Sequence, residues 1–156
     1  MGWGFVSFAL FGVLLLLLLA AGIEDARRRE IANWKNAAIA LLAPLWWVAH
    51  GYGWGDAGWQ MLLAIVVFAL FVGAFHFGWM GGGDVKMIGA LALWLPGNAL
   101  LFMLVVMSII GGALTLLMLV DHWRRKAPGV VETPYGVAIA MAAIVALHEP
   151  IFNQIT

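Results

Sequence analysis

The sequence predicts an all-α integral membrane protein with six transmembrane helices, and three observations support that prediction. Apolar residues make up 65% of the 156 residues and charged residues 10%, against about 45–50% and about 25% in soluble domains. Several apolar runs approach the roughly 20 residues that a helix needs to cross a bilayer. When six helices are threaded through the membrane, all eight lysines and arginines fall on one side, as the positive-inside rule requires.

The apolar runs place the helices in order along the chain. Three runs are long enough to cross by themselves: Trp3–Ala21, Trp59–Trp79 and Ala99–Val120. Three are shorter: Trp34–Ala49, Val85–Leu95 and Pro134–His148. Glycine and proline predict outer turns at His50–Gly58 and Pro96-Gly97-Asn98. We expect one polytopic domain, residues 1–156, with both termini outside, basic residues in the cytoplasm and tryptophans at the membrane interfaces.

Composition and motifs exclude several kinds of chemistry. The net charge is zero, so nothing indicates a nucleic-acid partner. The absence of cysteine excludes disulfides, a thiolate nucleophile and thiolate zinc sites. The chain has no His-Glu-x-x-His motif, and its two serines, Ser7 and Ser108, lie in no nucleophile elbow. We therefore expect neither a metal nor a cofactor.

Two aspartates, Asp25 and Asp84, each lie at the edge of an apolar run, and the topology puts both on the cytoplasmic side. A carboxylate at the margin of a membrane is energetically unfavourable, so it is a candidate functional group. Two neighbouring carboxylates share a proton, and such a pair can hydrolyse a peptide by general acid–base catalysis. Helix capping, or pairing with the adjacent arginines, is the structural alternative.

Glycines surround the second aspartate, in the sequence Gly81-Gly82-Gly83-Asp84. They allow positive φ and leave the approach to the carboxylate open for a substrate strand; a plain turn is the alternative. The segment Val85–Leu95 spans only about 16 Å, against a hydrocarbon core of about 30 Å. Either the helix includes Gly83 and Asp84 or the loop dips into the membrane, and we expect a shallow, water-filled cavity facing the cytoplasm.

The last helix opens with Thr133-Pro134-Tyr135-Gly136. Thr133 is predicted as its N-cap and Pro134 as its first residue, and Gly136 would let the helix approach the aspartates closely. Lys86 is expected to extend to the headgroup region. Four acidic residues share the cytoplasmic side and would either attract a basic partner or pair with nearby arginines: Glu24, Glu30, Asp121 and Glu132.

Three segments together resemble the type IV prepilin peptidases, which are GxGD aspartyl proteases: Asp25–Asn33, Gly81–Lys86 and Pro134–Ile139. They are most similar to the short tight-adherence branch, which matures Flp-type pilins. The resemblance implies a multi-pass enzyme of the bacterial inner membrane. It would remove a short basic leader from a prepilin, cutting after a glycine on the cytoplasmic side and ahead of an apolar helix.

The resemblance also implies roles for individual residues. Asp25 and Asp84 match the catalytic pair, and Gly81 and Gly83 match the defining glycines. The remaining matched positions belong to the implied substrate-binding loops: Gly82, Lys86, Pro134, Tyr135 and Gly136. The implied partners are the prepilin, the lipid bilayer and the pilus assembly machinery. Longer members carry a cytoplasmic region linked to N-methylation, often with cysteines, so cleavage alone is expected of this chain.

One position departs from the family pattern, and two other functions compete with proteolysis. Ala32 stands where the family commonly has proline, and alanine is expected to let the second helix begin earlier. One competing function is a small proton-coupled transporter that uses Asp25 and Asp84 as a relay. No further ionisable cluster continues outward from them. The other is a non-catalytic scaffold, in which both aspartates would be replaceable.

Overall fold

The computed structural model describes residues 2–126, 128–129 and 131–155, and it describes side chains for the part of these ranges between 4 and 148. All regular structure in those ranges is helical, which confirms the all-α prediction. The six helices are α1 (Gly2–Arg28), α2 (Asn33–Ala49), α3 (Trp54–His76), α4 (Gly82–Leu91), α5 (Gly97–Arg125) and α6 (Tyr135–Ile155).

Three of these helices are long and apolar enough to cross a membrane: Gly4–Arg28, Trp54–His76 and Gly97–Arg125. Their large apolar side chains largely face outward, and several are at least 67% exposed: Phe5, Leu16, Trp59, Leu70, Leu101 and Leu117. An apolar surface of this extent needs a lipid environment or a partner to cover it. The chain is therefore a membrane protein.

The two central helices are α4 and α6. α6 packs against α1, α4 and α5, while α4 also packs against α2 and α3. Small side chains on α6 allow this close packing, and Ala138, Ala142 and Ala143 are completely buried. On α1, a Cβ at Gly22 would lie 3.3 Å from the Cβ of Ala140. The start of α6 is thereby held next to the end of α1.

α3 begins earlier than the sequence predicts, since its first residue is Trp54 and Gly58 lies inside the helix. The backbone N–H of Gly53 donates to Asp56 Oδ2 at 3.1 Å, and this capping contact starts the helix within the predicted turn. α3 also ends early, at His76, because Gly78 adopts a left-handed φ of 73°. The predicted bounds of Trp59–Trp79 are therefore wrong by a few residues at each end.

α4 has only 10 residues and is about 15 Å long, roughly half the thickness of a hydrocarbon core. The turn that follows it is covered by side chains. Gln60 Nε2 donates to the carbonyls of Ala92 and Leu95 at 2.6 and 2.7 Å, and Trp47 Nε1 donates to the carbonyl of Leu93 at 2.8 Å. Irregular backbone within a membrane is tolerated where protein satisfies its polar groups in this way.

Three of the tryptophans predicted at the membrane interfaces are covered by protein. Trp46, Trp47 and Trp94 are buried in the core, and Trp94 Nε1 donates to the carbonyl of Ile39 at 2.8 Å. A buried indole requires such a partner. The exposed tryptophans, which remain available to an interface, are Trp34, Trp54, Trp59, Trp79 and Trp123.

The turn between α1 and α2 is held by a partly buried ion pair. Glu24 Oε2 accepts hydrogen bonds from Lys35 Nζ at 2.7 Å and from the backbone N–H of Ala32 at 3.0 Å. Ala32 has φ −60° and ψ 130°, so it stays outside α2, which begins at Asn33. The expectation that alanine extends the helix is therefore wrong at this residue. Alanine instead supplies an N–H that proline lacks.

Candidate active site

Asp25 lies in the last turn of α1 with its carboxylate against the first turn of α6. It is only 5% exposed. Its Oδ2 accepts a hydrogen bond from the backbone N–H of Val137 at 3.3 Å, and the N–H of Gly136 also faces the carboxylate. The first N–H groups of a helix lack partners inside the helix. Asp25 therefore caps α6 from another helix, across 112 residues of sequence.

This contact corrects the prediction for the start of the last helix. α6 begins at Tyr135, one residue later than expected, so Thr133 is not its N-cap. The hydroxyl of Thr133 lies 3.0 Å from that of Thr115 on α5. Pro134 is buried and its carbonyl accepts from the N–H of Val137 at 3.2 Å. The capping role assigned to Thr133 is taken by the distant Asp25.

Asp84 lies in the first turn of α4, whose N-cap is Gly81. Its carboxylate accepts a hydrogen bond from the Gly81 N–H, as an acidic residue in the third helical position commonly does. Of the two arrangements left open by the sequence, the helix includes Gly83 and Asp84. Both aspartates thus face a helix N-terminus, where the helix dipole favours negative charge.

The glycines around Asp84 permit close contacts and have ordinary backbone angles. Gly81 has φ −73°, and the left-handed glycine in this region is Gly78. A Cβ on Gly81 would lie 3.1 Å from Asp84 Oδ2, and one on Gly82 would lie 3.4 Å from the ring of Phe75. Positive φ does not account for these glycines; the close contacts that they permit are with side chains of the protein itself.

Ile31 packs between the two segments that carry the aspartates' neighbouring glycines, and it was not singled out from the sequence. A Cβ on Gly83 would lie 3.3 Å from Ile31 Cβ, and a Cβ on Gly136 would lie 2.7 Å from Ile31 Cδ1. The buried Ile31 side chain therefore sits between the glycine preceding Asp84 and the glycine against Asp25. Its place inside the first family-like segment was the available signal.

Asp25 and Asp84 both line two adjacent cavities, together with Arg29 and Gly81. The first, which we call the α2-side cavity, has a volume of about 330 Å³ and is also lined by Glu30, Ile31, Asn33, Gly82 and Gly83. The second, the α6-side cavity, has a volume of about 530 Å³, and its further lining includes Gly78, Trp79, Thr115, Glu132, Thr133 and Tyr135. An extended peptide placed across the aspartates would occupy both cavities.

The electrostatics of the site favour the protonated form of Asp84 over that of an ordinary aspartate. Burial raises the pKa of the Asp84 carboxyl from 3.8 to about 6, the Asp25 charge adds to the rise, and the hydrogen bond from Gly81 opposes it. Asp84 comes one residue before the predicted membrane segment Val85–Leu95, so its carboxyl lies outside that segment. Because the two carboxylates interact, they titrate as a pair. A pair that holds one proton has one proton donor and one proton acceptor.

Some of the other predicted site residues lie beside the aspartates and others lie away from them. Lys86 is exposed, lines neither cavity, and donates to Asn33 Oδ1 at 2.8 Å. Glu24 is paired with Lys35, and Asp121 with Arg125 at 2.9 Å. The acidic residues that remain beside the aspartates are those already named in the cavity linings, Glu30 and Glu132.

No group of three or more His, Asp or Glu side chains in the described residues is arranged to hold a metal ion. The carboxylates of the site instead have backbone N–H partners. The arrangement defines an integral membrane protein with a protonatable pair of aspartates in a partly covered cavity.

The comparison with known families agrees with this class of protein. The sequence pattern of the type IV leader peptidase family matches residues 12–116, a range that includes both aspartates. The chain belongs to the type IV leader peptidase family and is a peptidase by that membership. No curated protein and no solved structure matches it.

Proposed function

We propose that this protein is an aspartyl endopeptidase that removes the short basic leader from Flp-type prepilins at the cytoplasmic face of the bacterial inner membrane. The observation that carries the proposal is the placement of Asp25 and Asp84 in the same two cavities. Family membership supports a leader peptide as the substrate. The whole chain would act as one multi-pass domain, delivering mature pilin to the assembly machinery.

The proposed reaction uses water directly and forms no covalent intermediate. Ionised Asp25 takes a proton from water as the water oxygen attacks the scissile carbonyl carbon. Protonated Asp84 gives its proton to the carbonyl oxygen. When the tetrahedral intermediate collapses, the proton on Asp25 passes to the leaving amine, and Asp84 recovers a proton from the hydroxyl group.

The direct test is cleavage by purified protein in detergent. A Flp-type prepilin incubated with the enzyme should yield a product shortened by the leader, with its new N-terminus following the leader glycine. A prepilin with valine in place of that glycine is the matched control and should stay intact. Proton flux through liposomes without any cleavage would instead favour the transporter.

Leader recognition gives a second test, based on Glu30 and Glu132. Changing both to glutamine should raise KM for a basic leader by about two- to fivefold, since an exposed ion pair contributes about 0–1 kcal/mol. The value of kcat should change less, because the basic residues of the leader, which these glutamates would bind, lie away from the reacting bond. The effect should weaken at high salt.

The control for this prediction is a leader whose basic residues are replaced by glutamine. Its KM should be the same for wild-type enzyme and for the Glu30→Gln/Glu132→Gln variant. Equal KM values of the two enzymes for the basic leader at low salt would exclude both glutamates from recognition.

The proposed topology has six crossings with both termini outside, although three of the helices are short. A reporter active only outside the cytoplasm should be silent when fused after Arg125 and active when fused after Gly97. The second fusion tests α4, the shortest helix. A silent reporter at Gly97 would mean that α4 enters and leaves the membrane on the same side.

A further inference from the structure

An apolar groove runs along the outside of α2, α3 and α4. Its volume is about 460 Å³, and its walls are mostly apolar. The lining residues with small side chains are Ala37, Ala40, Ala64, Gly89 and Ala90. Small residues let the backbone of another helix approach closely in a membrane. Ala64, Gly89 and Ala90 are buried, and the ring of Phe68 covers Gly89. The small residues open to a further helix are therefore Ala37 and Ala40. The larger lining residues Met61, Ile65 and Phe68 are exposed at its edge.

The groove and the α2-side cavity meet at Asn33, whose Oδ1 accepts a hydrogen bond from Lys86 Nζ at 2.8 Å, and Lys86 also lines the groove. Asn33 lines both the groove and the α2-side cavity. From there the groove follows α2 as far as Ala40, a distance of about 10 Å or two helical turns. A segment lying in the groove would therefore lead directly to the two aspartates.

Asn36, in the wall of the groove, carries an unpartnered acceptor. The residue is only 4% exposed. Its Nδ2 donates to the carbonyl of Gly83 at 3.1 Å, whereas its Oδ1 has no hydrogen-bond partner among the described residues. A buried acceptor without a partner destabilises the protein by about 1–3 kcal/mol. Oδ1 is enclosed in the structure, so a bound donor reaches it only when the Asn36 amide turns toward the groove.

We propose that this groove binds the apolar helix that follows the leader in the prepilin substrate, with the N-terminal turn of that helix against Asn36. The inference rests on the proposed function. The first four N–H groups of any helix lack partners within the helix, so they match the free Oδ1 of Asn36. A lipid acyl chain has no donor to offer this atom. The substrate helix would thus be held with its N-terminus, and the preceding scissile bond, next to Asp84.

The occupant can be tested by filling the groove. Ala37→Trp places an indole in the groove, and Ala69→Trp places one on the exposed outer face of α3, outside the groove. Two substrates are compared: a prepilin with its apolar helix, and a peptide with the leader and the first residues after the cleavage site but no such helix. The ratio of KM for the prepilin to KM for the peptide should rise at least about tenfold in Ala37→Trp and stay unchanged in Ala69→Trp.

The outcomes separate the groove from the proposed function. An equal effect of Ala37→Trp on both substrates, or no effect on either, would overturn the groove proposal while cleavage itself stands. If wild-type enzyme cleaves neither substrate, both proposals fail.

Cross-linking gives a readout that does not depend on activity. Because the chain has no cysteine, a single Ala40→Cys change can be paired with a single cysteine in the first turns of the substrate helix. In the Asp84→Asn background, which keeps the substrate intact, oxidation should join the two chains. Ala69→Cys should not cross-link, and equal cross-linking at both positions would contradict the proposal.

The role of Asn36 is tested by removing the acceptor and the donor separately. Asn36→Ala should raise KM for the prepilin several-fold. A proline in the first turn of the substrate helix, at the position whose N–H bonds Asn36, should have the same effect because proline has no backbone N–H. Combined, the two changes should raise KM no more than either alone, since they remove the same hydrogen bond. If the effects of Asn36→Ala and of the substrate proline on KM added up for a proline at every position of the first turn, this hydrogen bond would be excluded.

Discussion

Asp25→Asn and Asp84→Asn are each expected to abolish prepilin cleavage. Each removes one of the two proton-transfer groups, and a positioned acid or base contributes about 10²–10⁴-fold to rate. Purified variants would be compared with wild type in single-turnover cleavage. Asp121→Asn is the matched control, because Asp121 is exposed and paired with Arg125. Near-normal cleavage by either aspartate variant would remove that residue from the mechanism.

The pH dependence of the free energy of unfolding distinguishes a catalytic role for Asp84 from a structural one. Its pKa is raised from 3.8 to about 6, so the folded protein binds this proton more tightly than the unfolded chain does. Stability should therefore fall as pH rises from about 4 to about 6, by at most about 3 kcal/mol. Asp84→Asn should lack this part of the pH dependence and melt above wild type at pH 7.5. A lower melting temperature at every pH would indicate a structural role.

Gly136→Ala is expected to cause the second large loss of activity. The new Cβ would lie 2.7 Å from Ile31 Cδ1 and 2.8 Å from Asp25 Oδ2, so the carboxylate has to move. A displacement of about 1 Å can lower the rate by about 10²-fold, and overpacking destabilises by about 1–3 kcal/mol. Cleavage rate and melting temperature, measured on the same preparation, report both effects.

The control for Gly136→Ala is Gly112→Ala. Gly112 lies inside α5 with no atom within 4 Å of an added Cβ, so alanine there gains helix propensity of about 1 kcal/mol without a clash. This variant should retain full activity and melt slightly higher. If both alanine variants had the same cleavage rate and melting temperature, the close contact between Gly136 and Asp25 would not matter for activity.

The sequence predicted those features that follow from periodicity and sidedness. Apolar runs located all six helices, and the threading placed Asp25 and Asp84 on the same side, where the structure gives them shared cavities. The close approach at Gly136 was also anticipated, because glycine near the start of a helix next to a functional residue suggests it. These inferences need only local pattern and the thickness of a bilayer.

The features that were missed depend on contacts between distant segments. The partner of Glu24 is Lys35 rather than an arginine of α1, and the cap of α6 comes from Asp25 rather than from Thr133. Trp94, which follows the end of α4, is buried and donates from Nε1 to the carbonyl of Ile39 on α2. The helical period alone fixes none of these contacts, since each requires knowing which faces of two helices meet.

The peripheral position of α3 has a consequence for the surrounding lipid. In the described residues α3 packs mainly against α4, and its 23 residues extend about 34 Å, more than a hydrocarbon core of about 30 Å. Such a helix tilts to match the bilayer. Since α3 forms one wall of the apolar groove, its tilt changes the width of that groove. We therefore expect acyl-chain length to influence which helices the protein accepts, with no change in any residue near the aspartates.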